Sequence, residues 1–321
     1  MPEARKATGV PEPREQAEPL RRVPAPLLLG AGILSVQVGA GLAARMFGTV
    51  SPGGLTGLRL WAAALLLAGL GGRSAMRVVR TIGAERAWRD AALVAGFGIT
   101  LGIMNFSIYQ AFARIPLGIA VTIEFLGPLG VAVASSRRLV DLLWVGLAGA
   151  GVTLLGTAGV GSASPAGPAT SGSELAGVVF ALISAAAWAA YIVLSASTGK
   201  RFSGSSGLVA AMWVAAIVVT PAAVASAGAS LLRPPVLAAG IAIGLLSSVI
   251  PYRFEYETLR RIPAKVFGIS MSLEPAVAAL VGVVMLSQAL SPAQWIAIGF
   301  VIVASAGAAL GSGRAATAPQ A

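Results

Sequence analysis

The sequence contains no cysteine and no histidine. These absences exclude disulfides, thiolate nucleophiles, metal sites built from Cys and His, and histidine-based catalysis. Charge is also scarce, since only 11% of the 321 residues are Asp, Glu, Lys or Arg, whereas a typical soluble domain has about 25%. Together with a hydrophobic content of 56%, this deficit is typical of integral membrane proteins.

Long apolar runs follow a polar beginning. Residues 1–25 are rich in Pro, Glu and Arg, a composition that cannot bury a core and predicts a disordered tail. The first apolar run is interpreted as a retained span, because no cleavage site typical of a signal peptide follows it. We predict an all-α integral membrane fold of ten transmembrane helices, each near the ~20 residues that cross a bilayer. Their predicted limits are 26–47, 54–71, 91–112, 116–136, 141–160, 175–197, 207–227, 235–257, 264–287 and 292–311.

The basic residues predict the orientation. If both termini are cytoplasmic, 18 of the 23 Lys and Arg residues fall in tails and loops on that side, and only Arg114 and Arg233 in loops on the other. Cytoplasmic loops carry such an excess, so the tail at 312–321 is predicted to be cytoplasmic. The net charge of +11 is assigned to this bias, and no nucleic-acid partner is expected. Arg59 is expected to extend to the outer interface.

The chain repeats itself. Residues 105–133 reappear 147 positions later, with identical residues at the positions of Tyr109, Arg114 and Pro128. The repeat unit is five helices, and because five is odd the second copy is inserted upside down, a mark of secondary transporters. The predicted units are a first five-helix repeat at 26–160, a linker at 161–174 and a second repeat at 175–311.

Two acidic residues stand near the centres of predicted spans. Glu124 lies in "EFLGP" and Glu274 in "SLEP", where an ionisable group costs about 2.5–3.5 kcal/mol and should face the bundle interior. Pro128 and Pro275 each leave a carbonyl four residues earlier without its helical donor, so both helices offer acceptors at one depth. The alternative is a structural acid, held protonated and hydrogen-bonded to a neighbouring helix.

Other polar residues lie at similar depth. Pro251 is predicted to break its span near mid-membrane. Glu255 follows it and is interpreted either as a contact for a substrate ammonium group or as an interfacial acid, whereas Arg253 and Glu257 can pair along one helix face. Asp141 is interpreted as an acid at a helix N-terminus. Uncharged residues of the same set act as helix–helix contacts or line a polar cavity. They are Gln37, Asn105, Tyr109, Trp188, Tyr191 and Tyr252.

Two stretches carry a family resemblance. "IPLGIAVTIEFLGPLGVAVASSRR" (115–138) and "SSVIPYRFEYETLRRIPAKVFGISMSLEPAVAALVG" (247–282) resemble the EamA-type branch of the drug/metabolite transporter superfamily, and within it the threonine and homoserine exporter group. The resemblance implies ten helices in two inverted repeats and export of small metabolites, often amino acids, in exchange for protons. It also implies binding roles for Glu124, Glu255 and Glu274.

The sequence departs from the pattern of this family at two places. The family often has Ser or Thr and an apolar residue where this chain has Arg253 and Glu257, which bears on the substrate. It usually has a Gly-Glu pair where this chain reads Ser287-Gln288. The second departure removes a carboxylate, and is expected to alter gating or only a helix cap.

The leading hypothesis is a carrier in the bacterial plasma membrane whose buried carboxylates exchange a proton for the ammonium group of a small amino acid. The expected partners are a small solute, protons and the lipid bilayer, with no cofactor and no metal. An uptake or exchange carrier for another metabolite or drug, and a non-transporting membrane subunit, remain alternatives. An enzyme is not expected, because the chain has no H-E-x-x-H motif, no Ser/His pair and no P-loop.

Overall fold

The computed structural model describes residues 23–71, 87–134, 140–157, 171–202 and 206–315. Every regular element within these ranges is helical. Most of the predicted N-terminal tail and of the predicted linker, and the last residues of the chain, lie outside the described residues, at 1–22, 158–170 and 316–321.

The described helices are numbered in chain order. They are α1 (Ala25–Met46), α2 (Pro52–Gly71), α3 (Ala87–Phe112), α4 (Leu117–Glu124), α5 (Leu126–Ala134), α6 (Val140–Thr157), α7 (Ser171–Arg201), α8 (Ser206–Ala227), α9 (Pro234–Gly244), α10 (Ile250–Leu259), α11 (Ala264–Met271), α12 (Glu274–Leu286) and α13 (Pro292–Ala315). A 3₁₀ turn (Gly228–Leu232) follows α8, and a π-helical turn (Leu245–Val249) joins α9 to α10.

Eight helical segments of the described ranges are long and apolar enough to cross a membrane, so the predicted all-α membrane class is confirmed. Two of the ten predicted spans are not among the eight. These two spans correspond to α2 and to α6, whose described side chains form the apolar stretch Leu142–Leu155. The eight segments are Ala25–Met46, Trp88–Phe112, Leu117–Ala134, Gly172–Arg201, Ser206–Leu232, Pro234–Leu259, Val266–Leu286 and Pro292–Leu310.

Two segments are interrupted near their middles, and proline accounts for each interruption. Helix α4 ends at Glu124 and α5 begins at Leu126, because Pro128 cannot donate to the carbonyl of Glu124. Helix α12 begins at Glu274 with Pro275 in its first turn, where a missing N–H costs nothing. Each interruption frees backbone carbonyls at the depth of a carboxylate.

A third proline has a milder effect. Pro251 was expected to break its span, but the helix continues through the π-helical turn Leu245–Val249 into α10. Because Pro251 has no N–H, the carbonyl of Ser247 is left without a helical donor. A π-turn of this kind often marks a functional position in a helix.

The helices pack more tightly at one end of the bundle than at the other. The largest buried cluster lies where α1 and α3 end, α4 begins and α12 ends, and it includes Ala43, Phe112, Leu117 and Val281. Helices α4 and α12 approach so closely there that a Cβ on Gly118 would collide with the backbone of Ala279. Under the predicted topology this dense end faces outward.

The Ser287-Gln288 pair, which stands where the resembled family usually has Gly-Glu, lies at this dense end. Ser287 adopts a left-handed conformation with φ of 54° at the end of α12, and Gln288 N donates to Gly282 O at 3.1 Å. Gln288 Oε1 accepts a hydrogen bond from Leu117 N at 3.0 Å. Gln288 therefore satisfies the first free N–H of α4 and ties α12 to it.

We expect Ser287→Gly to raise the free energy of unfolding by about 1 kcal/mol, because a left-handed conformation costs a residue with a Cβ roughly 1–2 kcal/mol and costs glycine little. The apparent Tm of the purified protein in detergent should rise by roughly 2–4 °C. The matched control is Ser197→Gly, an exposed residue within α7. In the control, glycine should lower the Tm, because glycine is unfavourable inside a helix. A lower Tm for Ser287→Gly would show that the left-handed conformation of Ser287 does not limit stability.

Candidate functional site

A partly open cavity of about 160 Å³ lies between the interrupted helices. Helices α1 to α4 and α7 contribute to its walls, together with the π-helical turn and helices α10 to α12. A cavity of this size holds a small solute, whereas drug-sized ligands occupy about 300–1,000 Å³. The structure brings all eight sequence-predicted site residues to its lining: Gln37, Asn105, Tyr109, Glu124, Trp188, Tyr252, Glu255 and Glu274.

Glu274 enters the cavity from the first turn of α12. It is 8% exposed, and its Oε1 accepts a hydrogen bond from Gln37 Nε2 of α1 at 2.9 Å. The other oxygen, Oε2, has no hydrogen-bond partner among the described residues, and neither has Gln37 Oε1. One oxygen of each of these two buried side chains therefore has no hydrogen bond within the described part of the protein.

Glu124 enters from the opposite half of the chain, at the C-terminal end of α4. Its Oε1 lies 2.5 Å from Ser184 Oγ of α7, and this hydroxyl also lies 3.0 Å from Met104 O. Ser184 was not among the sequence-predicted site residues. The signal was present, because Ser184 lies 147 positions after Gln37, the same offset that relates the two repeats. Each half thus supplies one carboxylate and the polar residue that holds the carboxylate of the other half.

Glu255 is half-buried on α10 and lines the cavity beside Tyr252. The three carboxylates of Glu124, Glu255 and Glu274 line the same cavity. Like charges in a poorly solvated cavity repel one another. The arrangement therefore favours protons or a cationic group in the space between them.

Aromatic rings form the remaining wall. Trp188 packs edge-on against Phe125 with ring centroids 5.0 Å apart, and Tyr191 packs against Phe97 at 5.2 Å. Tyr109 packs against Phe112 at 5.7 Å. These packed rings fix the shape of the cavity beside its charged groups.

The prediction for Arg59 was wrong. The side chain is 9% exposed and lines the cavity instead of extending to the membrane interface. Its Nη2 donates to Ser247 O at 3.1 Å, the carbonyl freed by Pro251, and its guanidinium carbon lies 5.2 Å from the ring centroid of Tyr109. The carbonyl of Ser247 and the ring of Tyr109 thus solvate the guanidinium in place of the water that it would have met at the membrane interface.

A second cavity of about 540 Å³ adjoins the first. The two share Trp188, Tyr191, Glu255 and Met271 as lining residues. The second extends past Ala132 of α5, Phe267 of α11 and the α13 residues near Ser305, away from the dense end of the bundle. The site is therefore closed by packed side chains on one side and adjoins a larger space on the other.

Two acids of the sequence analysis lie elsewhere. Glu257 pairs with Arg261, which donates to it, and lies 4.0 Å from Arg260 at the end of α10. Its predicted pairing with Arg253 stays a prediction. The side chain of Asp141 lies outside the described part of the structure. The described residues include no group of three or more Asp or Glu side chains arranged to hold a metal ion.

Comparisons with known proteins agree with this architecture. Residues 175–310 match the EamA-like transporter family. The chain is 35% identical over 300 residues to the threonine/homoserine exporter RhtA of Escherichia coli (strain K12), covering 91% of this chain and 94% of the relative. Similarity to the RhtA protein of Salmonella typhimurium (strain SL1344) is also 35%, over 88% of this chain and 90% of that protein.

Two weaker similarities were also found. The uncharacterized transporter YwfM of Bacillus subtilis (strain 168) is 28% identical over 131 residues, which cover 40% of this chain and 44% of YwfM. One solved crystal structure has the same fold, with a TM-score of 0.57 and 21% identity over 90% of this chain and 98% of the other.

We expect Glu124→Gln and Glu274→Gln each to raise the apparent Tm at pH 8 by a few degrees. A buried carboxylate carries a desolvation penalty of several kcal/mol when ionised, and glutamine keeps its shape and an acceptor oxygen without the charge. Thermal unfolding in detergent measures the effect. The control is Glu174→Gln in the first turn of α7, where the Tm should stay level or fall slightly. If both cavity variants were less stable than the wild type, the carboxylates would be structural.

Proposed function

The chain belongs to the EamA-like transporter family, and on that premise we propose that it is a secondary active transporter that exports small amino acids related to threonine and homoserine in exchange for protons. The observation that carries the proposal is the pair Glu124 and Glu274. Each lies where a helix of its own half is interrupted, and both line one cavity. Similarity to the threonine/homoserine exporters supports the substrate class and the direction.

We propose that the chain forms ten spans in two inverted repeats, α1–α6 and α7–α13, with both termini cytoplasmic. The pattern of helix packing supports this proposal. Helix α3 packs on α7 as α10 packs on α1, and α5 packs on α7 as α12 packs on α1. The pairs α2–α8 and α6–α13 each join two helices that the repeat makes equivalent. Exchange of the two halves leaves these contacts unchanged.

Two such halves give a transporter two conformations of similar energy, one open on each side. The described conformation fits the inward-open one under the predicted topology. On the dense side, Arg45 Nε donates to Met285 O at 2.7 Å, and Gln288 accepts from the backbone of Leu117 at 3.0 Å. The 540 Å³ cavity lies on the other side. Export requires the first contacts to open while the larger cavity closes.

The carboxylates couple the solute to protons in this proposal. When the ammonium group of an amino acid enters from the cytoplasm, it replaces protons on Glu124, Glu255 or Glu274, because opposite charge favours the ionised form. After the site opens outward and the solute leaves, the carboxylates bind protons from the outside. Protons that return inward along their gradient then drive the amino acid outward.

Transport assays test the proposal. Purified protein in liposomes loaded with labelled threonine should export it when a pH gradient, acidic outside, is imposed. Glu124→Gln and Glu274→Gln should each reduce gradient-driven export by at least about 100-fold, which corresponds to roughly 3 kcal/mol, because an amide cannot carry the proton. Glu255→Gln should reduce it less, since this residue is only half-buried.

Glu174→Gln, which lies outside the cavity, is the matched control and should export at the wild-type rate. Wild-type protein that moves no amino acid under any gradient would contradict the proposed function. Uptake in the absence of export would favour an importer, and normal export by all three cavity variants would remove the proton-coupling mechanism. Loss of flux in every preparation, with normal folding, would point to a non-transporting membrane subunit.

The proposed orientation in the membrane can be tested by labelling single introduced cysteines, because the sequence contains no cysteine of its own. We expect Ala132→Cys, at a half-exposed position on the wall of the larger cavity, to react with an impermeant maleimide in inverted membrane vesicles but not in intact cells. Thr49→Cys, in the exposed turn after α1, should react only from outside the cell. The opposite pattern would reverse the proposed orientation. Labelling of Ala132→Cys from both sides would mean that the dense end of the bundle does not close the site.

A further inference from the structure

Arg59 is a buried cation that forms no ion pair with any side chain in the described part of the protein. Glu124 lines the same cavity as Arg59, yet no carboxylate oxygen of the described residues lies within the 4.0 Å that defines an ion pair with the guanidinium. Its Nε has no hydrogen-bond partner among those residues. A charged residue in the membrane interior costs about 2.5–3.5 kcal/mol, and one hydrogen bond to Ser247 O leaves most of the guanidinium donors unused.

The unused donors have a chemical preference. A guanidinium is a planar fork of five N–H groups that matches a carboxylate bidentately, and it is weakly hydrated enough to do so in a buried site. The contacts with Ser247 O and the Tyr109 ring hold the Arg59 side chain in the cavity wall. The group is therefore oriented before any solute enters, which reduces the entropic cost of binding.

The cavity joins this cation to the acidic side chains. Arg59 is one lining residue, and Glu124, Glu255 and Glu274 are others, around about 160 Å³. A solute that fills so small a space with both groups satisfied carries a negative and a positive charge within a few atoms of each other. An α-amino acid zwitterion has this charge distribution, whereas a simple amine has the positive charge and no negative one.

The repeat does not duplicate Arg59. "WAAALLL" (61–67) in α2 aligns with "WVAAIVV" (213–219) in α8, and the residue two positions before Trp213 is Ala211. The positive charge thus lies on one side only of an otherwise two-fold arrangement. A zwitterion bound there takes a single orientation, with its carboxylate toward α2.

We propose that Arg59 is a specificity-determining residue that binds the carboxylate group of the transported amino acid. The site consequently selects zwitterions over the corresponding amino alcohols, esters and lactones. This inference rests on the proposed function, because it identifies the second charged group of the solute that the acids are proposed to bind. Its alternative is a purely structural role, in which Arg59 serves only to hold the carbonyl of Ser247 in place.

Competition in proteoliposomes separates the two roles. Exchange of labelled threonine should be inhibited by unlabelled threonine at concentrations roughly 10- to 100-fold lower than by threoninol, which replaces the carboxylate with a hydroxymethyl group. In Arg59→Gln, the concentration of threonine needed should rise by a similar factor, while that of threoninol should change by less than about threefold. If Arg59→Gln no longer binds threonine, its exchange activity is measured with labelled threoninol instead.

Two further variants complete the test. Arg59→Lys keeps the charge without the fork and should recover part of the preference for threonine. Arg233→Gln is the matched control, since Arg233 is an exposed arginine of an external loop and should retain the wild-type preference. If Arg59→Gln exchanges neither solute, Arg59→Lys decides: recovered preference supports the proposal, and loss of both solutes overturns it in favour of the structural role.

Failure of the inference and failure of the proposed function give different results. If wild-type protein exchanges threonine and threoninol equally well, Arg59 does not select a carboxylate, but the protein is still an amino acid carrier. The same holds if Arg59→Gln keeps the wild-type preference. If wild-type protein exchanges neither threonine nor any other amino acid, the proposed function fails, and the inference fails with it.

Discussion

The cost of an ionisable group inside a membrane governs the rest of this structure. Glu124, Glu274 and Arg59 occupy apolar helices, where each costs several kcal/mol unless the protein supplies partners. None of them faces lipid. They converge on one cavity, where Gln37, Ser184 and the carbonyl of Ser247 replace part of the water that the charges lack. A helix bundle that only has to be stable gains nothing from buried charged side chains, whereas a transporter needs them to bind a charged solute.

Proline and helix interruption serve the same constraint. Polar backbone in a bilayer must be satisfied internally, yet α4 and α12 each leave a carbonyl free beside a carboxylate, and Pro251 leaves a third free beside Arg59. Irregular backbone is tolerated in a membrane only where protein or a polar cavity surrounds it. The interruptions and the charged side chains therefore occur at one depth because each requires the same polar environment.

The two halves are similar in packing and different in chemistry. Gln37 and Ser184 occupy equivalent positions and each supports the carboxylate of the other half, so the symmetry extends to the site. Arg59 has no counterpart, because the aligned residue is Ala211. In the proposed transporter, symmetric packing would give two conformations of similar energy, whereas the asymmetric charge distribution would give the solute a preferred orientation. The tight packing at Gly118 and the cap from Gln288 stabilise the conformation that the structure describes.

The sequence by itself determined the membrane class, the positions of most spans and the candidate site. All eight residues named from their depth and their proline neighbours lie around one cavity, because hydropathy and helical periodicity are local properties that any one segment displays. Only the tertiary structure decided which hydrogen-bond partners the side chains of the site have. Ser184 supports Glu124 across 60 positions of sequence, Gln288 caps α4 across 171, and Arg59 turns inward because a carbonyl 188 positions away is free to accept its hydrogen bond. The environment of a side chain is set by neighbours that only folding brings near, so a charge that appears interfacial in the sequence can lie at the centre of the site.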